Sequence, residues 1–263
     1  VIEPLGSALV CFSGGVDSTL LLRVAHDVLG ERCVALTAVS PAVPRREVDA
    51  ARDLAQAIGA RHLVVESREL ERREFVENAS SRCYHCKTEL MSIGLPTAAE
   101  LGLAHVCLGT TLDDLGDHRP GLAAADERGA RHPLVDARLT KDDVRAVSHA
   151  LGLSTWDKPQ MACLSSRIPY GTPITVGRLQ RVEAFEEALQ DLGFRMLRVR
   201  FHDAVARIEV GVDELARALA EREAIVAAGK RLGFSYVALD LAGYRTGAMN
   251  EVLGSRRRDA PAG

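Results

Sequence analysis

A glycine-rich turn between an apolar run and a helical pattern constrains the fold of this chain more than any other feature. Residues 8–12 form a short apolar run, residues 13–19 read Ser-Gly-Gly-Val-Asp-Ser-Thr, and residues 18–29 carry apolar side chains at helical spacing. This order predicts a strand, a loop and a helix. The loop would present unpaired backbone N–H groups at the positive end of the helix dipole, which favours an anion such as phosphate.

Strands and helices continue to alternate after this loop. Residues 33–39, 61–65 and 105–109 read as buried strands, and residues 45–58 as an amphipathic helix. Such alternation predicts an α/β fold, a doubly wound parallel sheet that helices cover on both faces. Residues 80–90, which are dense in Cys, Arg and Lys, read as an insertion into this pattern.

The C-terminal part follows a different pattern. Residues 136–151 read as another helix, with Thr140 as its N-cap and Asp143 three positions later. Residues 156–175 contain three Pro and read as an extended connector. Beyond it we predict a smaller α+β domain, with helices near residues 175–192 and 212–232 and strands near 195–200, 205–210 and 236–241. The predicted boundaries are residues 1–172 for the first domain, 173–255 for the second and 256–263 for a flexible tail.

Composition and charge exclude several classes of protein. A chain of 263 residues, 47% of them hydrophobic, can bury a large core, and its net charge of -3 argues against a broad surface for nucleic acid. No apolar run has the length of a membrane span, and the first residues lack a signal-like pattern. Six cysteines are too few for a disulfide scaffold. We therefore expect a cytoplasmic enzyme with no membrane or nucleic-acid partner.

The glycine-rich loop has the donors that a nucleotide phosphate needs. Two adjacent glycines let the main chain approach phosphate oxygens, the hydroxyls of Ser13 and Ser18 can donate, and Asp17 can hold Mg²⁺. The lysine of a Walker loop is absent, and the alternative is an ordinary glycine turn with a serine cap. The string resembles the PP-loop of ATP pyrophosphatases, which implies adenylation with release of pyrophosphate. The predicted ATP-binding residues of this loop are Ser13, Gly14, Gly15, Asp17, Ser18 and Thr19, with Asp17 and Ser18 also catalytic.

A second polar turn follows the strand at residues 105–109. It reads Gly-Thr-Thr-Leu-Asp-Asp over residues 109–114, and the carboxyl end of a strand is where doubly wound sheets place ligand contacts. We predict that Thr110 and Asp114 contact ATP. The alternative is a capped turn between a strand and a helix.

The cysteines divide into two groups by their surroundings. Cys11, Cys33 and Cys107 lie in apolar strands and read as core residues, whereas the other three lie in polar connectors. Cys83 and Cys86 have the spacing of a metal-binding pair, and a distant thiolate at Cys163 would complete three ligands of an iron–sulfur cluster.

The thiols in the polar connectors also have alternative functions. A zinc site that includes His85, or a redox dithiol, is an alternative for the pair. Cys163 has a separate possible role as a nucleophile whose thiolate Arg167 favours.

With these pieces in place, the chain resembles the LarE family of ATP-dependent sulfur transferases, which build the thiocarboxylates of the nickel-pincer nucleotide. The resemblance implies a nicotinate-derived mononucleotide with two carboxylates as substrate, each of them adenylated and converted into a thiocarboxylate. It covers nearly the whole chain and rests on residues 12–18 (Phe-Ser-Gly-Gly-Val-Asp-Ser), 82–87 (Arg-Cys-Tyr-His-Cys-Lys), 117–121 (Asp-His-Arg-Pro-Gly), 163–171 (Cys-Leu-Ser-Ser-Arg-Ile-Pro-Tyr-Gly), 206–210 (Ala-Arg-Ile-Glu-Val) and 243–247 (Gly-Tyr-Arg-Thr-Gly).

The resemblance also bears on the source of sulfur. One branch of the family sacrifices the sulfur of a single cysteine at the position of Cys163, and the other holds a 4Fe-4S cluster on three cysteines. This sequence has the three-cysteine pattern, so Cys83, Cys86 and Cys163 are expected to hold a 4Fe-4S cluster that carries sulfide. The sulfide donor is unknown, and the family implies a homo-oligomer, in its most specific form a hexamer.

The predicted small domain carries a candidate phosphate site. Arg198 and Arg200 alternate along a predicted strand and so face one side, and Arg245 lies in another loop. They match arginines of the family's phosphate pocket, and the alternative is a solvated basic strand face. Three glutamates of the preceding helix read as a solvated face, although the family makes one of them a candidate cavity residue; they are Glu183, Glu186 and Glu187.

Two other functions compete with this interpretation. A cluster-dependent tRNA thiolase of the PP-loop type uses the same adenylation, but such enzymes tend to carry extra zinc-binding Cys pairs and a basic surface. A nucleotide sensor without catalysis would keep the loop while losing its functional side chains, and here Ser13, Asp17 and Ser18 are all present.

Overall fold

The computed structural model describes residues 1–116, 120–245 and 247–250. It divides into two compact units, Val1–Ala162 and Cys163–Gly263. The domain boundary predicted after residue 172 stays a prediction. Asp117, His118, Arg119, Thr246 and the predicted tail at residues 256–263 lie outside the described residues. Among the helices described, none combines the length and apolar character that a bilayer crossing requires.

A four-stranded parallel sheet forms the centre of the first unit, which confirms the predicted doubly wound arrangement. Its strands stand in the order β3-β2-β1-β4, and Cys11 pairs with Leu36 on one side and Leu108 on the other. The strand order therefore reverses at β1, so the carboxyl ends of β1 and β4 border the crevice where such sheets bind ligands. The strands are β1 (Ala8–Cys11), β2 (Cys33–Val39), β3 (Arg61–Glu66) and β4 (His105–Leu108).

Helices cover both faces of this sheet because the strand side chains alternate between two apolar clusters. Ala8 and Val10 pack in one cluster, whereas Leu9 and Cys11 pack in the other. The first cluster includes residues of α1, α2 and α8, and the second includes residues of α4 and α6. The helices of this unit are α1 (Val16–Leu29), α2 (Arg45–Ile58), α3 (Arg73–Val76), α4 (Arg82–Glu100), α5 (Leu112–Leu115), α6 (Pro120–Asp126), α7 (Pro133–Asp136) and α8 (Lys141–Ala150).

Two sequence-based assignments in this unit were wrong. The predicted insertion at residues 80–90 is mostly the beginning of α4, a helix of 19 residues that starts without a side-chain cap and contains Pro96, so its usual signals are weak. The predicted helix over residues 136–151 is interrupted, because Arg138 has a φ of 58°. Helix α8 begins only after Thr140, which caps it together with Asp143 as predicted.

The second unit is a small α+β structure, as predicted. Strands β5 and β6 form an antiparallel hairpin, and β7 pairs with β6 in parallel after a helical crossover. The predicted helix over residues 212–232 is two helices, since the backbone leaves helical geometry at Glu221. The elements are α9 (Val176–Asp191), β5 (Leu197–His202), β6 (Val205–Val210), α10 (Leu215–Ala220), α11 (Arg222–Arg231) and β7 (Tyr236–Leu239).

Candidate active site

The glycine-rich loop lies between β1 and α1, where the sequence predicts an anion site. Gly14 has a φ of 68°, and a Cβ atom placed on it would lie 3.2 Å from the Cα and Cβ atoms of Ala51 in α2. Only glycine meets both conditions without strain, because a side chain would be disfavoured by the φ angle and crowded by α2. Gly15 is the N-cap of α1 and has extended backbone geometry. The N–H groups of the first turn therefore begin directly at the loop.

The two serine side chains of this loop are hydrogen-bonded to each other. The hydroxyl oxygens of Ser13 and Ser18 lie 3.1 Å apart, and Ser18 donates to the carbonyl oxygen of Gly15 at 3.3 Å. Asp17 is half-buried in the first turn of α1, and Thr19 is fully buried. The structure thus brings the predicted loop residues together. Their roles toward ATP and Mg²⁺ stay predictions, and Thr19 has no exposed side-chain surface for such a contact.

A buried hydrogen-bond chain supports the start of the loop. Thr37 donates its hydroxyl hydrogen to the carbonyl oxygen of Phe12 at 2.6 Å, and the Nε2 atom of His62 lies 2.7 Å from the same hydroxyl oxygen. Because the Thr37 hydrogen is already used, His62 must donate from Nε2. Burial and the charge of Arg52 lower the pKa of His62, which keeps its ring neutral.

Lys158 reaches the glycine-rich loop, and the sequence analysis did not identify it. Its ammonium donates to the carbonyl oxygen of Gly14 at 3.0 Å and to Glu47 Oε2 at 2.7 Å. Arg145 of α8 holds the lysine backbone, since it donates to the carbonyl oxygens of Trp156 and Lys158 at 2.7 and 3.0 Å. A cation is therefore fixed beside the proposed phosphate site. Its only sequence signal is a lysine before a proline in a polar connector.

The turn after β4 packs directly on the first turn of α1. A Cβ atom on Gly109 would lie 2.9 Å from the backbone nitrogen of Ser18. Asp114 accepts hydrogen bonds from the backbone and hydroxyl of Thr111 and lies 3.0 Å from the Lys141 ammonium. In this structure the Asp114 carboxylate therefore caps the turn, which is the alternative that the sequence left open. Contacts of Thr110 and Asp114 with ATP stay predictions.

The cysteines divide as the sequence analysis predicted. Cys11, Cys33 and Cys107 are buried in the core of the first unit. Burial raises the pKa of Cys11 to about 11 and that of Cys33 and Cys107 to about 12, so these thiols stay protonated and unreactive at neutral pH. Cys83 is exposed, and Cys86 and Cys163 are half-buried.

Cys83 and Cys86 lie near the start of α4, three positions apart and therefore on one face of the helix. Within the described ranges, no three His, Cys, Asp or Glu side chains converge as a metal site. Cys163 belongs to the second unit. The cluster on Cys83, Cys86 and Cys163 stays a prediction.

Cys163 precedes a short 3-10 turn, Leu164–Arg167, that a buried arginine stabilises. Arg167 donates to the Cys163 carbonyl oxygen at 3.0 Å and forms two hydrogen bonds of 2.9 Å with Glu186. The Arg167 guanidinium thus contacts the backbone carbonyl of Cys163. Glu183 and Glu186 are 8% and 5% exposed, so the prediction that they form a solvated face was wrong. Glu186 is buried because it pairs with Arg167 and accepts from the Val199 backbone at 2.9 Å.

Arg198 and Arg200 share one face of β5 as predicted, but they are only 6% and 8% exposed. The alternative of a solvated basic face is therefore wrong. Arg200 makes two hydrogen bonds with Glu209, of 2.9 and 2.7 Å, and a third with the Ser166 carbonyl oxygen at 2.9 Å. The Arg198 guanidinium carbon lies 5.0 Å from the centre of the Tyr244 ring.

The charges around Arg198 are of both signs. Burial, followed by the nearby charge of Arg167, lowers the pKa of Arg198, while the charges of Glu186 and Tyr244 act in the opposite direction. Arg245 is exposed. Burial raises the pKa of Asp240, but hydrogen bonds from the Ala242 backbone and from Arg207, together with the charges of Arg207 and Arg245, lower it overall. Whether these arginines bind a phosphate stays a prediction.

Comparison with known proteins gives relatives that span nearly the whole chain. An uncharacterized protein of Synechocystis sp. is 45% identical over 251 residues, which are 95% of this chain and 94% of the relative. The pyridinium-3,5-bisthiocarboxylic acid mononucleotide synthase of Lactiplantibacillus plantarum is 39% identical over 253 residues, 96% of this chain and 92% of the synthase. An uncharacterized protein of Methanocaldococcus jannaschii is 27% identical over 238 residues, 90% of each chain. No model of a known protein family matches the chain.

The similarity to the synthase from Lactiplantibacillus plantarum identifies the family of this chain. Its identity of 39% extends over both units of this chain, the one with the glycine-rich loop and the one with the arginines of β5. This extent and this level of identity show that the chain belongs to the LarE family, the family of the pyridinium-3,5-bisthiocarboxylic acid mononucleotide synthase.

Proposed function

We propose that this chain is an ATP-dependent sulfurtransferase that adenylates a carboxylate of a pyridinium dicarboxylate mononucleotide and converts it into a thiocarboxylate. The similarity to the synthase over 96% of the chain carries this proposal. In the reaction the carboxylate attacks the α-phosphorus of ATP, pyrophosphate leaves, and a sulfur nucleophile then replaces AMP at the acyl carbon.

The loop between β1 and α1 supports the first of these steps. Gly14 and Gly15 lie at the start of α1, and Lys158, which is paired with Glu47, holds the carbonyl oxygen of Gly14. Asp17 would hold Mg²⁺, which neutralises charge on the phosphates as pyrophosphate leaves. A half-buried carboxylate in the first turn of the helix fits this ion, since Mg²⁺ prefers carboxylate oxygens and keeps water ligands.

The arginine cluster of the second unit supports binding of the acceptor. Arg198 and Arg200 are buried on one face of β5, and both carry guanidinium groups that can donate to an anion. The phosphate of the mononucleotide is the anion that we assign to this cluster, with Arg245 as a third cation. The Glu209 contact fixes the Arg200 guanidinium in place and so pre-organises it for a further hydrogen bond.

For the sulfur we propose a 4Fe-4S cluster on Cys83, Cys86 and Cys163. Thiolates are the ligands that such clusters require, and these three cysteines are the ones outside the core. When bound, the cluster would supply an iron without a protein ligand, at which sulfide binds. The chain itself supplies a helix start at Cys83 and Cys86 and a backbone at Cys163 that Arg167 holds.

The oligomeric state and the compartment belong to the same proposal. We propose a homo-oligomer, a hexamer in its most specific form, which light scattering of the purified protein tests. Six free cysteines fit a reducing compartment such as the cytoplasm.

Product analysis tests the adenylation. Incubation with ATP and the pyridinium dicarboxylate mononucleotide should give AMP and pyrophosphate in phosphorus-31 NMR, whereas ADP and orthophosphate would exclude the assignment. Asp17→Ala should abolish the products because it removes the magnesium ligand. Asp27→Ala is the matched control, since Asp27 lies in the same helix and only forms an exposed pair with Arg23 at 2.8 Å.

Anaerobic preparation tests the source of sulfur. Mössbauer spectroscopy and iron analysis should show a 4Fe-4S cluster that is lost in Cys86→Ser and retained in Cys107→Ser, which changes a buried core thiol. Zinc in place of iron would exclude the cluster. Mass spectrometry that finds Cys163 short of one hydrogen sulfide after turnover would show the sacrificial chemistry of the other branch.

A further inference from the structure

Buried hydrogen bonds join the turn after Cys163 to β5, the strand whose arginines we assign to the acceptor phosphate. Glu186 lies at their centre. Its Oε1 atom accepts from Arg167 Nε and from the Val199 backbone, each at 2.9 Å, and its Oε2 atom accepts from Arg167 Nη2 at 2.9 Å. The Arg167 and Glu186 side chains are 0% and 6% exposed, so water competes little for these hydrogen bonds. We name Arg167 and Glu186 together the Glu186 brace.

The arginine end of the Glu186 brace holds the turn itself. Arg167 Nη1 donates to the Cys163 carbonyl oxygen and to the Ser166 hydroxyl oxygen, each at 3.0 Å. A separate hydrogen bond reaches the same turn from β5, because Arg200 donates to the Ser166 carbonyl oxygen at 2.9 Å. All of these groups belong to the second unit. Several hydrogen bonds from charged groups, which are the strong kind, thus fix the Cys163 backbone to β5.

This connection matters for the reaction because the acceptor carries its phosphate and its carboxylates in one molecule. If Arg198 and Arg200 hold the phosphate, the positions that a carboxylate can take are restricted, and the sulfur must approach it from a defined place. A misplacement of about 1 Å can cost about 100-fold in rate. A fixed relation between Cys163 and β5 therefore bears directly on sulfur transfer.

We propose that Glu186 is a positioning residue for sulfur transfer, which acts through Arg167 to hold Cys163 at a fixed place relative to the phosphate-binding strand. The inference rests on the proposed function. It applies to either source of sulfur, because Cys163 is a cluster ligand in one case and gives up its own sulfur in the other. Adenylation, which precedes the sulfur step, does not depend on the Glu186 brace.

Glu186→Gln separates this role from a contribution to stability alone. Glutamine can keep its oxygen at the Oε1 position, where it still accepts from Arg167 Nε and from the Val199 backbone. Its amide nitrogen then faces Arg167 Nη2, so two donors oppose each other where a hydrogen bond was. The variant therefore loosens the turn at Cys163 while the hydrogen bond to β5 stays in place.

Two measurements on the full-length protein test the proposal. In Glu186→Gln, hydrogen–deuterium exchange should become about tenfold faster at residues 163–168 and stay unchanged in β5, since one hydrogen bond to a charged group contributes about that factor to local opening. Under anaerobic conditions with ATP and the acceptor, trapping of the acyl adenylate by hydroxylamine should keep its wild-type rate. Thiocarboxylate formation should fall by up to about 100-fold. Glu221→Gln is the matched control, since Glu221 forms an exposed pair with Arg217 at 2.9 Å in the same unit.

Faster exchange in both segments, or adenylation and thiocarboxylate formation that fall together, would assign Glu186 to stability alone and overturn the proposal. Wild-type thiocarboxylate formation in a folded Glu186→Gln variant would overturn it too, and the proposed function would stand. If wild type forms neither the adenylate nor the thiocarboxylate, the proposed function fails together with the inference.

A second variant covers the case in which Glu186→Gln does not fold, since breaking a buried pair is destabilising. Arg167→Lys keeps the charge but cannot make the two-pronged contact with Glu186 and also hold the Cys163 carbonyl oxygen, so it should separate adenylation from thiocarboxylate formation in the same way. If neither variant folds, hydrogen exchange of wild type decides. Exchange at residues 163–168 as slow as in β5 supports the Glu186 brace, and rapid exchange there overturns it.

Discussion

Lys158 offers the sharpest test of how the glycine-rich loop is held. The lysine holds the carbonyl oxygen of Gly14 at 3.0 Å. In a trans peptide the C=O and the following N–H point in opposite directions, so this contact aims the N–H of Gly15 away from the lysine, and that N–H donates to the Ser13 hydroxyl oxygen of the same loop at 3.4 Å. In Lys158→Met the loop must adopt this orientation at the moment ATP binds. We therefore expect the substitution to weaken ATP binding, with little change in affinity for the acceptor.

The magnitude follows from the kind of hydrogen bond that the substitution removes. A hydrogen bond from a charged group contributes about 1.5–3 kcal/mol net, and about 1.4 kcal/mol is a factor of ten, so the Kd for ATP should rise about 10- to 100-fold. The ion pair with Glu47 adds a separate effect on stability. Its side chains are 19% and 18% exposed, which lies between a surface pair and a buried one and predicts a destabilisation of about 1–3 kcal/mol.

A double variant separates these two effects. Lys158→Met with Glu47→Met removes both charges, so the free energy of unfolding should recover while ATP affinity stays low. ATP affinity is measured by calorimetry with an uncleavable analogue, and stability by urea unfolding. Wild-type ATP affinity in a folded Lys158→Met variant would refute the reasoning. Recovery of ATP affinity in the double variant would show that Lys158 acts only through stability.

Three further predictions concern single positions. Gly109→Ala should lower the free energy of unfolding by about 1–3 kcal/mol and weaken ATP binding, because the new methyl group displaces the first turn of α1. Gly177→Ala is the control, since its methyl group would meet no atom within 4 Å, and equal urea midpoints for the two variants would contradict the predicted crowding at Gly109. His62→Gln should reduce the loss of stability on acidification, because the pKa of folded His62 lies below its ordinary value of 6.5 and the unfolded chain therefore binds more protons as the pH falls through 6.5. If the free energy of unfolding, measured in urea, changes with pH equally in wild type and variant, folded His62 is not held neutral. Arg200→Lys should raise the acceptor KM more than the ATP KM in steady-state kinetics, since lysine cannot reproduce the two-pronged contact with Glu209; equal changes would assign the cluster to another ligand.

Local patterns predicted the elements that frame the site. The assignments of residues 33–39 and 45–58 coincide with β2 and α2, because a buried parallel strand and an amphipathic helix each carry a periodic signal. The glycine-rich loop was also predictable, since both its glycines and its position between a strand and a helix are visible in the chain. The three core cysteines followed from their apolar neighbours for the same reason.

Contacts between distant residues were not predictable in this way. Lys158 reaches Gly14 across 144 positions, and a polar connector carries no period that would reveal its partner. Glu186 reads as solvated because a charged residue on a helix usually is, and only the buried Arg167 reverses that expectation. The beginning of α4 was missed because Cys, Arg and Pro96 obscure a helix that packing against the sheet stabilises.

The division of the cysteines into buried and accessible thiols also allows folding, and occupancy of the accessible sulfurs, to be measured by alkylation. The buried thiols Cys11, Cys33 and Cys107 are protonated at neutral pH and shielded, while Cys83, Cys86 and Cys163 are at least partly accessible. An alkylating reagent applied to the native chain should therefore mark the second group, and the first group only after unfolding. Protection of the second group would then report occupancy of those sulfurs, read by mass spectrometry one residue at a time.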